Sequence, residues 1–281
     1  MVKWQDCMPD GTLSNLGRDL SIRDQGLGLV LADGSEWLFV GEDTSALAII
    51  YKLGMILQLE SLMGLSCKIS IGTPKKKDCK PSAEESLLLY DTFVQMMKII
   101  HRDVLARDGL FLHGALAERN GFGVILAGPS GVGKTTASVR LPSPWRPLSD
   151  DMTLVVRDAQ GRYWGHPWPT WSFFRESNNS GRMWDVSYAV PLKGLFFLAQ
   201  AREDRAERIG AGWATGMLLE TARQASGPLD DGSRNEDLTT MNLQLFNNSC
   251  KMAKSMKSFI LNVSLNGQFW KDMDLALNSP I

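Results

Sequence analysis

The sequence predicts a mixed α/β fold built around a strand, a glycine-rich loop and a helix. The loop GPSGVGKT at 128–135 fits the pattern G-x-x-x-x-G-K-[ST] at every position. The apolar run GVILA at 123–127 precedes it and predicts a buried strand. Residues 135–141 can form two helical turns before Pro142 and Pro144 stop them. This order of elements supports a phosphate-binding loop (P-loop), and the alternative is a glycine-rich turn without a ligand.

The loop contains the residue types that phosphate binding needs. Glycines let backbone N–H groups approach an anion and allow positive φ. Lys134 is expected to reach the outer phosphates and the Thr135 hydroxyl to bind Mg²⁺. A helix starting at Lys134 would direct the positive end of its dipole at the same anion. We therefore expect ATP with Mg²⁺, bound by Gly128, Pro129, Ser130, Gly131, Val132, Gly133, Lys134, Thr135 and Thr136.

Composition and charge exclude several classes of protein. The 281 residues suffice for one large α/β domain or two smaller ones. The net charge of −1 gives no electrostatic case for nucleic acid or an anionic membrane as a partner. The four cysteines form no C-x-x-C pair, so neither a zinc site nor a disulfide framework is indicated. The start lacks the apolar stretch of a signal peptide, so we expect a cytoplasmic protein, with a homo-oligomer left open.

The first part of the chain predicts a small α/β lobe over residues 1–80. Strands are expected at 28–31 and 37–40, joined by a tight turn at Asp33-Gly34. Apolar residues at helical spacing predict a helix over about 44–63, followed by a strand at 67–71. Charged and polar residues interrupt that helix, so it is expected in a core and not in a membrane. The lobe contains no catalytic constellation.

The second domain is predicted to cover residues 81–281. Ser82 and Glu85 form a capping box for a helix to about 107, with Ile100 and Val104 on its apolar face and a structural His101 beside them. The run VPLKGLFFLA at 190–199 predicts a buried strand. Further elements are expected as helices over 211–225 and 237–257, a strand over 258–265 and a short helix over 268–277.

Two further features carry candidate chemistry. Asp150 and Asp151, in the run LSDD at 148–151, lie near the end of what we expect to be a strand beside the P-loop strand. One carboxylate there can hold the metal or its water, and the other can accept a proton from an attacking hydroxyl. The alternative is a turn or helix-capping pair. His113 is expected on a strand just upstream of the loop, and we assign it to the active site.

The segment 162–171 is unusually aromatic and contains three tryptophans, Trp164, Trp168 and Trp171. Such side chains can anchor a proline-rich loop by packing, or they can line a groove for a substrate peptide. Together with His166, Arg175, Arg182 and Trp184, they favour a groove that holds an extended chain.

The residues HGALA at 113–117, GVILAGPSGVGKTT at 123–136 and LSDD at 148–151 resemble the catalytic core of HPr kinase/phosphorylase-like proteins. The resemblance is specific over 110–157 and looser at 190–199 and 264–270. The small versions in peptide-biosynthesis clusters resemble this chain most, including the SynChlorMet cassette kinase-like protein and the kinases that modify lasso-peptide precursors. The resemblance implies a P-loop kinase core shared with phosphoenolpyruvate carboxykinases, preceded here by the small N-terminal lobe.

The resemblance also implies roles for individual residues. Lys134 becomes the phosphate clamp and Thr135 a Mg²⁺ ligand. Asp150 becomes the general base, Asp151 a helper or second metal contact, and His113 the group that sets the protonation of Asp150. The extra Glu that the bifunctional HPr enzymes carry after the Asp-Asp pair is not found, so HPr as substrate and a phosphorylase reaction are not implied.

We therefore expect an ATP-dependent kinase that phosphorylates a Ser or Thr hydroxyl on a peptide or protein, such as a ribosomal precursor peptide. A kinase for a small molecule such as free serine would use the same core. A nucleotide-binding regulatory module without turnover is the alternative outside enzymes, but it would need neither a base nor a histidine beside the loop.

Overall fold

The computed structural model describes residues 27–30, 32–33, 36–40, 49–52, 55–56, 100–168, 188–226 and 235–279. Contacts divide the chain into two compact units, Met1–Lys98 and Ile99–Ile281. The sequence had placed this division after residue 80, and the residues between the two positions lie outside the described ranges.

The described part of the first unit is a four-stranded antiparallel sheet. Its strands are β1 (Leu27–Val30), β2 (Glu36–Val40), β3 (Ile49–Lys52) and β4 (Met55–Ile56), paired in that order. The predicted hairpin is confirmed, with Leu27 opposite Phe39. The helix predicted over 44–63 is wrong where it can be compared, because residues 49–52 and 55–56 are strands. Ile49, Ile50 and Tyr51 favour extended backbone. In a short apolar run, the spacing of apolar residues does not distinguish the helical period of about 3.6 residues from the strand period of about 2.

The second unit contains eight described strands in one mixed, mostly antiparallel sheet, ordered β11-β12-β10-β6-β5-β8-β9 with β7 paired to β5. The strands are β5 (Leu110–Arg119), β6 (Phe122–Ala127), β7 (Arg146–Ser149), β8 (Met152–Arg157), β9 (Tyr163–Trp168), β10 (Val190–Gln200), β11 (Arg205–Arg208) and β12 (Lys257–Val263). Neighbours β6, β10 and β12 run parallel. The start of β10 also pairs with β9, which closes β5, β6, β10, β9 and β8 into a ring.

Five helical segments accompany this sheet in the described residues. They are α1 (100–106), α2 (Lys134–Arg140), α3 (Ala211–Ser226), α4 (Asn235–Ser255) and α5 (Phe269–Asn278). The helices predicted over 135–141, 211–225, 237–257 and 268–277 are confirmed as α2 to α5, and Ile100 and Val104 are buried as predicted. No helix in the described ranges is long and apolar enough to cross a lipid bilayer.

Both faces of the central strands are covered. Ile125 and Phe197 lie in one apolar cluster with Leu218 of α3 and Leu245 of α4. Their neighbours Leu126 and Phe196 lie in a second cluster with Ala137 of α2 and with Phe269 and Met273 of α5. Strands buried on both faces need apolar residues at successive positions, which explains the continuous runs VILA and LFFL.

Strand β9 was not predicted, because Pro167 and the following Pro169 indicated a loop. Pro167 lies opposite Thr153 of β8, while β10 pairs with β9 only at Trp164 and Gly165. A proline removes one backbone donor, so it is tolerated where no second strand needs that donor.

His101 is buried in α1 and has the structural role that the sequence indicated. It is 1% exposed, and its ring packs edge-on against Phe111 with centroids 5.5 Å apart. Its Nε2 lies 3.3 Å from the Ser226 hydroxyl oxygen. Burial, with a smaller effect from the charge of Arg102, lowers the pKa of His101 from 6.5 to about 4.

This pKa predicts an acid-sensitive contribution to stability. The unfolded chain binds a proton at His101 below pH 6.5, whereas the folded chain does so only below about pH 4. The histidine therefore costs stability progressively as pH falls through this window, by about 3 kcal/mol in full. We expect the unfolding free energy of His101→Gln, measured by urea denaturation, to fall less than that of the parent across the window. Equal losses in both proteins would show that folded His101 is not held neutral.

Candidate functional site

The glycine-rich loop has the backbone that the sequence predicted. It runs from the end of β6 at Ala127 to Gly133, the residue that caps the start of α2. Gly131 and Gly133 have φ values of 78° and 103°, in the left-handed region that favours glycine. A Cβ at either position would meet no atom within 4 Å. The loop therefore has open space beside these two glycines, into which a phosphate could approach the backbone.

Lys134 lies beneath the loop, and an exposed rim surrounds it. The lysine is 6% exposed, and its Nζ donates to the carbonyl oxygens of Gly128 at 2.9 Å and Pro129 at 3.1 Å. Burial lowers the pKa of Lys134, and the nearby Asp151 carboxylate opposes that shift. The rim residues Ser130, Gly131, Thr135 and Thr136 are exposed. A cationic group is thus available beside a solvent-accessible loop.

Strand register brings the other predicted residues to the same edge of the sheet. In the antiparallel pair β5–β6, Gly114 lies opposite Ala127, so His113 is near the start of the loop. In the pair β5–β7, Leu116 lies opposite Ser149, so the Asp150–Asp151 turn follows at that edge. The expectation that the Asp-Asp strand directly neighbours the P-loop strand is wrong, because β5 lies between β7 and β6.

Buried hydroxyl groups hold the Asp150–Asp151 turn. Strand β5 pairs with β8 up to His113 and with β7 from Leu116 onward. At this change of partner, the Leu116 amide donates to the Ser149 hydroxyl oxygen at 3.1 Å. The Thr153 hydroxyl donates to the Gly114 carbonyl at 2.8 Å. Both hydroxyl side chains are fully buried, so the turn has a fixed position relative to β5.

His113 contacts the second aspartate of the pair. Its Nε2 lies 2.9 Å from Asp151 Oδ1, and its Nδ1 lies 2.8 Å from Gln224 Oε1. The hydrogen bond to Asp151 raises the pKa of His113, and the bond to Gln224 adds to this, while burial and Lys134 act in the opposite direction. The resemblance had linked His113 to Asp150; the hydrogen bond formed by its Nε2 links it to Asp151.

The two aspartates differ in accessibility. Asp150 is 6% exposed, whereas the Asp151 side chain is 36% exposed. No group of three or more His, Cys, Asp or Glu side chains arranged to hold a metal occurs in the described residues. Mg²⁺ in phosphate sites is commonly held by one or two protein oxygens together with phosphate oxygens. Thr135, an exposed residue with a hydroxyl group, and the partly exposed Asp151 carboxylate supply oxygens of the kind that this donor set uses.

Three residues at this edge were missed by the sequence analysis. Gln224 is in the last turn of α3, and Gln200 ends β10 with its Nε2 3.5 Å from the carbonyl oxygens of Gly131 and Val132. Arg140 of α2 donates to the carbonyls of Ser264 and Gly267, both at 2.8 Å. The sequence signals a helix or strand at each place, but it does not signal which side chains make these contacts.

Two of the residues assigned to the predicted groove are core residues. Trp168 is 5% exposed and packs edge-on against Phe111, with ring centroids 5.0 Å apart. His166 is fully buried in β9. Trp171, Arg175, Arg182 and Trp184 lie outside the described residues. For Trp168 and His166, the packing alternative therefore holds.

A cleft of about 200 Å³ lies away from the loop. It is lined by residues of the β5–β6 turn, including Arg119 and Phe122, and by Trp145 and Asp274. Arg119 lies opposite Phe122 at the far end of the β5–β6 hairpin, whereas Gly114 and Ala127 mark the end near the loop. The cleft and the candidate site are therefore at opposite edges of the sheet.

Comparison with known proteins identifies the family. No curated protein matches the chain. A family model described as SynChlorMet cassette protein ScmC matches residues 78–278, which include every described element of the second unit. This match spans well over half of the 281 residues. The chain belongs to the SynChlorMet cassette protein ScmC family.

Proposed function

We propose that this chain is an ATP-dependent kinase that transfers a phosphoryl group to a Ser or Thr hydroxyl of a peptide or protein, on a P-loop core of the HPr kinase type. One observation carries the proposal: a loop suited to phosphate and a histidine–carboxylate pair occur at one sheet edge. His113 Nε2 lies 2.9 Å from Asp151 Oδ1, and the Lys134 Nζ contacts the loop carbonyl of Gly128 at the same edge. A protein that only senses a nucleotide has no need of the two aspartates and His113 there.

The phosphate half of the site uses the loop. Backbone N–H groups around Gly131 and Gly133, together with Lys134, would neutralise the β- and γ-phosphates. Thr135 and Asp151 would hold Mg²⁺, which neutralises phosphate charge and orients the nucleotide when it is bound. Phosphoryl transfer asks little covalent chemistry of the protein, so positioning and charge are its main contributions.

The acceptor half uses the aspartate pair. The hydroxyl oxygen forms a bond to the γ-phosphorus, the bond between that phosphorus and the ADP oxygen breaks, and Asp150 takes the hydroxyl proton. General-base catalysis of this kind typically contributes about 10²–10⁴ in rate. The hydrogen bond from His113 orients Asp151 beside it.

The acceptor class rests on the sequence resemblance to precursor-peptide kinases. Family membership places the chain among cassette proteins, which is compatible with a substrate encoded beside it. Because Trp168 and His166 are core residues, the acceptor would contact other parts of the chain.

An acceptor comparison tests this proposal. The chain is incubated with γ-labelled Mg-ATP and with the peptides encoded beside it, with free serine, or without acceptor. We expect label on a hydroxyl of one peptide. Faster labelling of free serine would replace the proposal with a small-molecule kinase. Mg-ATP binding with no labelled product in any arm would indicate a nucleotide-binding module.

A further inference from the structure

A chain of three hydrogen bonds runs from the surface of α3 to the candidate site. The Gln224 amide nitrogen donates to Glu220 Oε1 at 3.0 Å, one helical turn earlier. The Gln224 amide oxygen faces His113 Nδ1 at 2.8 Å, and His113 Nε2 faces Asp151 Oδ1 at 2.9 Å. Helix α3 is thereby connected through β5 to the turn after β7.

Glu220 determines which end of the Gln224 amide faces the histidine. An ionised carboxylate only accepts hydrogen bonds, so the amide NH₂ must face Glu220. The amide oxygen is then the atom next to His113, and it too only accepts. Nδ1 of His113 must therefore carry a hydrogen, which it donates to Gln224.

This bond fixes the orientation of the ring. With Nδ1–H directed at Gln224, Nε2 faces Asp151, and because an ionised carboxylate only accepts, Nε2 carries a hydrogen too and donates it to Asp151. Turning the imidazole over by 180° would place ring carbons where the two nitrogens now lie and would break both hydrogen bonds. Gln224 therefore selects the ring position in which His113 can contact Asp151.

We propose that Gln224 is a positioning residue, which holds His113 so that its Nε2 contacts Asp151, with Glu220 orienting the Gln224 amide. This inference rests on the proposed function for its effect on turnover, but its structural content does not depend on turnover. Gln224 acts through His113 and is assigned no contact with substrate or nucleotide. In many catalytic histidines, a hydrogen bond made by one ring nitrogen determines the role of the other ring nitrogen.

Two substitutions separate positioning from general support of the fold. Gln224→Leu keeps a similar volume, suits a helix and removes the acceptor. Gln224→Glu keeps an acceptor oxygen at the same reach. Gln160→Leu, the same chemical change in an exposed turn between β8 and β9, is the matched control. Thermal unfolding of each variant verifies that it is folded.

The direct readout is the ¹H–¹⁵N correlation spectrum of the His113 imidazole, recorded in the full-length protein. We expect a slowly exchanging Nδ1–H signal in the parent, in Gln224→Glu and in Gln160→Leu, and loss of that signal in Gln224→Leu. In the phosphorylation assay, Gln224→Leu should lower kcat roughly tenfold, the effect of about 1.4 kcal/mol, with little change in the KM for ATP. Gln224→Glu should recover most of the loss.

The NMR signal tests the position of the His113 ring, and kcat tests whether that position affects turnover, so each can contradict its own part of the inference. An unchanged Nδ1–H signal in folded Gln224→Leu would overturn the positioning role, whatever the activity. A lost signal with unchanged kcat would show that the ring position has no bearing on turnover. If the parent transfers no phosphoryl group, the proposed function fails, while the spectrum still decides whether Gln224 holds His113.

Discussion

Replacing Lys134 with alanine is expected to weaken Mg-ATP binding by about 10–100-fold. Lys134 is the cation that lies buried beneath the loop, and it donates to the carbonyl oxygens of Gly128 and Pro129. A hydrogen bond to a charged group contributes about 1.5–3 kcal/mol, and each 1.4 kcal/mol corresponds to tenfold in affinity. Isothermal titration calorimetry with Mg-ATP measures the effect.

The matched control is Lys193→Ala. Lys193 is an exposed lysine near Phe122, at the far end of the β5–β6 hairpin. This variant should bind Mg-ATP as the parent does. If folded Lys134→Ala also kept the parent affinity for Mg-ATP, the loop would not be a nucleotide site. The kinase proposal would then have no site for its phosphoryl donor.

The second large effect is expected at Asp150. Asp150→Asn keeps the size of the side chain but removes its capacity to take a proton at neutral pH. We expect kcat for peptide phosphorylation to fall by about 10²–10⁴ while Mg-ATP affinity changes little, as for a group that acts only in the transition state. Steady-state kinetics and calorimetry on the same preparation separate the two quantities.

Two further variants serve as comparisons for Asp150→Asn: Asp151→Asn at the neighbouring aspartate and Asp272→Asn as a control. Asp151 contacts His113 and is the proposed metal contact, so its variant should need more Mg²⁺ for half-maximal activity. Asp272 lies in the first turn of α5 and should tolerate the change. Near-parental kcat in Asp150→Asn, together with a large loss in Asp151→Asn, would move the base to the aspartate that His113 contacts.

Local sequence predicted most elements of the second unit because each carries its own signal. The loop 128–135 is contiguous, and its glycines adopt the positive φ that the pattern requires. The apolar runs at 123–127 and 190–199 are buried strands. Strand β9 was missed because Pro167 and Pro169 are typical of loops, while its pairing with β8 and β10 depends on distant residues.

The sequence predicted that His113, Asp150 and Asp151 lie together in one site, but it did not predict which of them contact each other. Register places His113 near Asp150 and Asp151, yet neighbouring residues of a turn point in different directions, so the partner of His113 could not be read from spacing. Gln224 lies 111 residues from His113 along the chain, and its role depends on how α3 packs against β5. Nonlocal contacts of this kind have no periodic signature in the sequence.

The measurement that tests the central claim most directly is ³¹P NMR of the parent protein with Mg-ATP and the acceptor peptide. We predict that the γ-phosphate resonance decays while a phosphomonoester resonance grows at the same rate, and that Asp150→Asn suppresses both changes. A γ-phosphate resonance that stays constant although Mg-ATP binds, or that converts only to inorganic phosphate, would contradict phosphoryl transfer to a peptide hydroxyl.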